Sequence, residues 1–281
     1  MQQYCPLEGF KIFNKPEWID QKVSDRLAVN YWILGESVVY ARPKGFSDLP
    51  GVKNAMALNE DVASFVSSGK NPYIQIEDYL FLKGSSSKAR KYFIEKINKD
   101  NRRKSIIFCN TTLPFNVAIK LAQKFNTTKK YVHVAKNYKD AIGHAKTLSD
   151  YVQKPVDPLI SNILENYNYN GNSLSPVEIR SEKNWQIKTP EFSNHALVIN
   201  KNILHSTSTG FLRSNHIPLV DKMRYQCLSD LPENSSLDYI IINGGELKGT
   251  SRSARFKFMQ SLKEWHKKFP FQMYITYNAN I

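Results

Sequence analysis

The chain has 281 residues, 41% of them apolar and 23% charged, a globular balance that excludes general disorder and suffices for one large or two ordinary domains. Its formal charge of +14 would serve a nucleic acid, an acidic partner or a membrane surface, or is simply a solvated basic exterior. No apolar run approaches the roughly 20 residues of a membrane helix, the N-terminus has no signal-peptide pattern, and Cys5, Cys109 and Cys227 are too few and too far apart for a disulfide framework or a cysteine-rich zinc site. A soluble, cytoplasmic chain with reduced thiols is expected.

In chain order, Tyr31 to Tyr40 reads as a strand or hairpin turning at Gly35-Glu36. Ser47-Asp48 can cap a helix running to about Ser68, with Pro50 tolerated in its first turn and Gly69 closing it. Tyr73 to Glu77 is the next strand. Lys83-Gly84 reads as a turn, and Ser85 to Ser87 as the cap of a helix to about Lys99, where Ala89, Phe93, Ile94 and Ile97 make one apolar stripe. A strand over Lys104–Cys109, a helix over Pro114–Phe125, a strand over Tyr131–Ala135 and a helix over Tyr138–Tyr151 follow. Strands alternating with helices imply crossover connections and a mixed or parallel sheet with helices packed on it.

The strongest signal is internal. Leu82-Lys-Gly-Ser-Ser-Ser-Lys-Ala-Arg90 recurs as Leu247-Lys-Gly-Thr-Ser-Arg-Ser-Ala-Arg255. The same offset pairs Phe93 with Phe258, Ile97 with Leu262, Gly45-Phe46 with Gly210-Phe211, and Val38-Val39 with Ile203-Leu204. Trp18 and Trp185 precede their first strands at similar distances and are expected to plug one end of each module. Three segments follow: a first module over 1–152, a polar linker with a short helix over 153–183, and a second module over 184–281. The second stops after the strand matching Lys104–Cys109, so it is expected to be incomplete at its C-terminus.

The search for chemistry returns little. GxxxxGK[ST], GxGxxG after a strand, GxSxG and HExxH are all absent, and the six histidines stand apart, so no catalytic residue, metal or cofactor is expected. Glu77-Asp78 becomes Asn243-Gly244 in the second copy, and a solvated strand end is the expectation for those acids. The repeated motif is the candidate binding or phosphorylation site: Lys83, Gly84, Ser85, Ser86, Ser87 and Arg90, with Lys248, Gly249, Thr250, Ser251 and Arg255. It sets hydroxyls and backbone N–H groups at a helix start, where an anion is favoured and the cations add charge-assisted contacts. Plain capping is the competing account. The helix after each motif is basic, but its aromatic belongs to the apolar stripe, so the interleaving that single-stranded nucleic acids use is missing.

The order of elements, with Ser85-Ser86-Ser87 and Thr250-Ser251 opening the helix after the third strand, resembles the STAS fold of anti-sigma-factor antagonists. Tyr131-Val-His-Val-Ala-Lys-Asn-Tyr-Lys-Asp-Ala141 is similar to the terminal strand and helix of such domains. That resemblance implies modules that bind partner proteins, regulated at a serine, without catalysis. The family's Asp-Ser before the helix is here Lys83-Gly84 and Lys248-Gly249. Pro16-Glu-Trp18, Ile203-Leu-His-Ser206 and the repeated motif also resemble N-terminal regions of bacterial multidomain signalling proteins that carry PAS, histidine-kinase or diguanylate-cyclase modules.

The expectation is therefore α/β: two repeated STAS-like modules, each a mixed sheet with helices on it. They would form a non-catalytic sensory input region whose partners are other signalling domains or proteins or a small anionic ligand. The alternatives are a basic nucleic-acid-binding protein and an enzyme with its site at the strand ends near Glu77, Asp78 and Arg90.

Overall fold

The computed structural model describes residues 2–66, 72–112, 115, 116, 119, 132–148, 158–165, 170–232 and 237–277. They fall into two compact units, Gln3–Pro176 and Met1–Gln2 with Val177–Ile281.

In the first unit the short strands β1 (Gln2–Tyr4), β2 (Lys11–Phe13) and β3 (Gln21–Lys22) precede a long hairpin of β4 (Leu27–Leu34) and β5 (Val38–Ser47). Then come α1 (Leu49–Ser64), β6 (Tyr73–Asp78), β7 (Phe81–Ser85), α2 (Ser87–Lys99), β8 (Arg103–Cys109), β9 (Val132–Val134), α3 (Tyr138–Leu148) and α4 (Pro158–Glu165). The sheet order is β1-β2-β4-β5-β6-β8-β9, with β3 on β4 and β7 on β5. Pairing is antiparallel up to the hairpin and parallel from β5 onward, as helical crossovers require.

Both faces of this sheet are covered, and the burial follows the two-residue period of the strands. Trp32, Leu34, Tyr40, Ile74, Ile76 and Ile107 pack with Tyr138, Ala141 and Ile142 of α3. Val29, Tyr31, Val39, Ala41 and Tyr73 pack with Val62 and Ala63 of α1 on the other side. Each of these large side chains contributes about 1.5–3 kcal/mol of transfer free energy when withdrawn from water. Asp48 caps α1 by accepting from Gly51 N at 2.9 Å, with Pro50 in the first turn as expected.

The second unit contains β10 (Val177–Arg180), β11 (Gln186–Lys188), β12 (Phe192–Ile199), β13 (Ile203–Leu212), α5 (Ile217–Ser229), β14 (Tyr239–Thr250), α6 (Arg252–Lys268) and β15 (Met273–Tyr277). Its strand order is β10-β12-β13-β14-β15, with β11 on β12. Ala196, Val198, Leu204, Ile240 and Ile242 pack with Met223 and Cys227 of α5 and Trp265 of α6. Among the described residues β15 pairs on one side only, with β14. Met273 is 51% exposed on it, and Phe256 and Met259 stand out on α6.

The two units repeat several local devices. Leu82 lies opposite Gly45 and Gly84 opposite Phe46; Leu247 lies opposite Gly210 and Gly249 opposite Phe211. Gly45 and Gly210 both have positive φ, and an added Cβ would sit 2.3 Å from Arg26 O in one and 2.2 Å from Glu191 O in the other. Trp18 and Trp185 are fully buried, and their Nε1–H groups donate to Asp61 at 3.0 Å and Asp230 at 2.7 Å.

Several expectations need adjustment. Lys83-Gly84 is not a turn but part of β7, which continues beyond a bulge against β5. The helix over 114–125 lies outside the described residues except at 115, 116 and 119, and so do Gly69 and 149–157. Within the segment read as linker, the short helix expected there is α4, while Leu174 joins the first unit's core and Val177–Arg180 pairs with β12.

Candidate functional site

The repeated motif begins as a strand and ends as a helix cap. Ser86 Oγ accepts from Ala89 N at 3.2 Å, and Ser251 Oγ from Ala254 N at 3.1 Å. Each cap is held against the preceding hairpin: Ser86 N donates to Ser47 O at 2.9 Å and Ser251 N to Leu212 O at 3.1 Å. The glycine in each motif faces a ring, with Gly84 against Phe46 and Gly249 against Phe211. The Arg90 guanidinium donates to Ser85 O and to Ser87 Oγ, so it folds back over its own helix start. Lys83, Lys248 and Arg255 are exposed, and Ser85 and Thr250 are half-buried. The motif residues of each unit are thus brought together, with Ser86 and Ser251 spent on capping.

What sequence reasoning missed is the space beneath the first motif. A cavity of about 140 Å³ lies between the sheet and helices α1 and α2. Its floor is Val29, Tyr31, Glu77 and Phe108 from the strands with Tyr79 just after β6, and its roof is Val52, Ala55 and Met56 from α1 with Ala89, Phe93 and Ile97 from α2. Ser85 and Arg90 also line it, which joins the motif to the cavity. The rings of Phe93 and Tyr79 stand at 6.3 and 5.5 Å from that of Phe108, making one aromatic wall.

The acids expected at a solvated strand end are buried: Glu77 is 5% exposed and Asp78 0%. Strand alternation sends them to opposite faces, and both faces are covered, as is usual for parallel strands. Asp78 accepts from Tyr40 Oη, from Asn110 Nδ2 at 2.7 Å and from Leu80 N at 3.1 Å. That network pins the C-terminal end of β6 and leaves Asp78 no free role. Glu77 differs. One of its oxygens accepts from Gln75 Nε2, and the carboxyl borders the cavity.

Burial pushes the Glu77 carboxyl up to about 8, with the Gln75 hydrogen bond and the Arg103 charge opposing that shift and the Asp78 charge adding to it. At neutral pH Glu77 is therefore a neutral acid. Tyr31 and Tyr79 also have raised pKa values, burial first and the Glu77 charge second. Tyr31 Oη donates to Ala55 O at 2.9 Å, which ties the floor to the roof. The cavity thus offers hydrogen bonding from an uncharged acid, within walls that are mostly hydrocarbon.

The second unit treats the corresponding helix differently. Arg224 of α5 is 1% exposed, and its guanidinium lies over the rings of Phe258 at 4.9 Å and Trp265 at 5.7 Å. Phe258 holds the place in α6 that Phe93 holds in α2, seven residues after the capping serine. Burial lowers the Arg224 pKa, and Asp221, 3.7 Å away, opposes that. His205 is likewise lowered, to about 4 by burial, and bonds Tyr277 Oη at 2.9 Å. His133 and His144 stack at 5.9 Å, and among the described residues no group of three ligands could hold a metal. All three cysteines are free and buried, and among the described residues no helix is long and apolar enough to cross a membrane.

No family model and no curated protein matches the chain. Among solved structures it is similar to an uncharacterized protein of the DUF3478 family with a SpoIIAA-like fold from Shewanella loihica PV-4. The identity is 14% and the TM-score 0.34, over 43% of this chain and 94% of that one. At that score the likeness assigns neither fold nor function.

Proposed function

We propose that the chain is a non-catalytic regulatory region in which the first unit binds a small molecule beneath its serine-capped helix. The observation that carries this reading is the continuity between cavity and motif: Ser85 and Arg90 belong to both, so an occupant touches the surface helix α2 from below. The reading extends to the whole chain. The two units are copies of one STAS-like module, supported by the matched glycine, ring and cap geometry in each. The first has an open cavity, and in the second Arg224 covers the ring of Phe258. The motif surfaces, with Lys83 and Arg90 or Lys248 and Arg255, meet an acidic protein partner or another signalling domain. We place the chain in the cytoplasm of a bacterium as the input part of a signalling protein, on the resemblances of its motifs, with no cofactor.

Thermal unfolding tests the reading. A ligand that binds only the folded state raises the melting temperature with its concentration. At least one of a panel of small apolar molecules should do so, and Ala89→Leu, which narrows the cavity, should abolish the rise. A panel that leaves the melting temperature unmoved defeats the proposal. One observation favours a catalytic alternative: a buried acid with a raised pKa in a cavity is a common catalytic arrangement. Chromatography of a bound molecule after prolonged incubation separates the two, since binding returns it unchanged and catalysis consumes it.

A further inference from the structure

The dimensions of the cavity and its single acid restrict what can enter. We propose that it takes a small neutral molecule with an aromatic or branched aliphatic body and one hydroxyl or carbonyl oxygen, selected by Glu77. This rests on the reading of the first unit as a ligand-binding module. At about 140 Å³ the space is close to an engineered cavity of about 150 Å³ that accepts benzene, so a single ring or its aliphatic equivalent fits. Val29, Met56, Phe93 and Phe108 supply walls suited to such a body and offer nothing to a charge.

Ser47, Tyr79 and Asn98 also line the cavity, and two of its other polar groups are already engaged. Tyr31 donates to Ala55 O, and Arg90 is engaged with Ser85 and Ser87. Gln75 occupies one oxygen of Glu77 as donor, so the acid's proton belongs on the other oxygen. Arg103 and Asp78 act on Glu77 at a distance but do not line the cavity. A ligand oxygen completes the hydrogen bonding of Glu77. A pure hydrocarbon leaves it wanting, and an unpaired buried donor is costly. Among the described residues that line the cavity, a carboxylate finds no cation but the exposed and engaged Arg90, and an ammonium gains an ion pair only after Glu77 has lost its proton.

The test is calorimetric titration of the full chain at about pH 6.5 with four ligands of similar size: toluene, 4-methylphenol, benzylamine and benzoate. 4-Methylphenol should bind the natural protein at least about tenfold more tightly than toluene, the ratio expected for one satisfied buried hydrogen bond. Glu77→Leu should remove that advantage while keeping toluene binding. Should Glu77→Leu not fold, Glu77→Met, closer in shape, makes the same comparison. Equal or tighter binding of toluene to the natural protein overturns the proposal, as do tighter binding of benzylamine or benzoate and a preference that survives loss of the acid. In those cases the ligand-binding reading stands. Failure of all four to bind the natural protein overturns both. Ala89→Leu should weaken 4-methylphenol by at least about tenfold, and unchanged affinity there would put the site elsewhere and end the proposal.

Discussion

Glu77 gives the first unit a pH-dependent contribution to its stability. Its carboxyl moves from an ordinary 4.5 to about 8 on folding, chiefly through burial, so the fold holds a proton that the unfolded chain releases between those values. With the folded pKa the higher, the Glu77 contribution to stability is greatest below about pH 4.5, falls by up to about 1.4 kcal/mol per pH unit through the window, and levels off above about pH 8. Glu77→Gln keeps the shape without the titration. Urea denaturation at about pH 5 and pH 8 should show the variant gaining on the natural protein as pH rises; parallel curves would show that Glu77 ionises freely. This residue was misread from the sequence because Tyr73-Ile-Gln-Ile-Glu77 presents isoleucines on one face and polar groups on the other. That pattern ordinarily marks a half-exposed strand. Here α1 and α2 cover the polar face, and nothing within the strand's own sequence announces the cover.

At the scale of elements, the turn from hairpin to motif depends on one glycine per unit. Gly45 at φ 104° and Gly210 at φ 82° lie in the region closed to most side chains, and each has a backbone oxygen where a Cβ would go. Gly45→Ala and Gly210→Ala should each cost at least about 2 kcal/mol by chemical denaturation, combining left-handed strain with displacement of a carbonyl. A smaller loss would mean that the hairpin end yields easily. Much at this scale was legible. The hairpin turning near Gly35, the Asp48 and Ser86 caps, and α2 follow from local turn, capping and periodicity rules. The strand β7 was hidden because Lys83-Gly84 looks like a turn, and only pairing with β5 holds it extended. The cavity was hidden for a related reason: its lining comes from strands and helices far apart in the chain, and a void leaves no mark on any one of them.

For the molecule as a whole, the repeated motif was readable at once, while the contrast between units was not. Arg224 is a helix residue that reads as solvated, yet it is buried over Phe258 and Trp265. The outer side of β15 presents backbone donors and acceptors that no described strand meets, alongside exposed Met273 and Ile275 and without an intervening lysine or proline to discourage pairing. Two molecules can zip together along that margin. Sedimentation velocity should reveal reversible, concentration-dependent self-association that Ile275→Lys suppresses, and a monomer at every concentration would mean that the margin is protected.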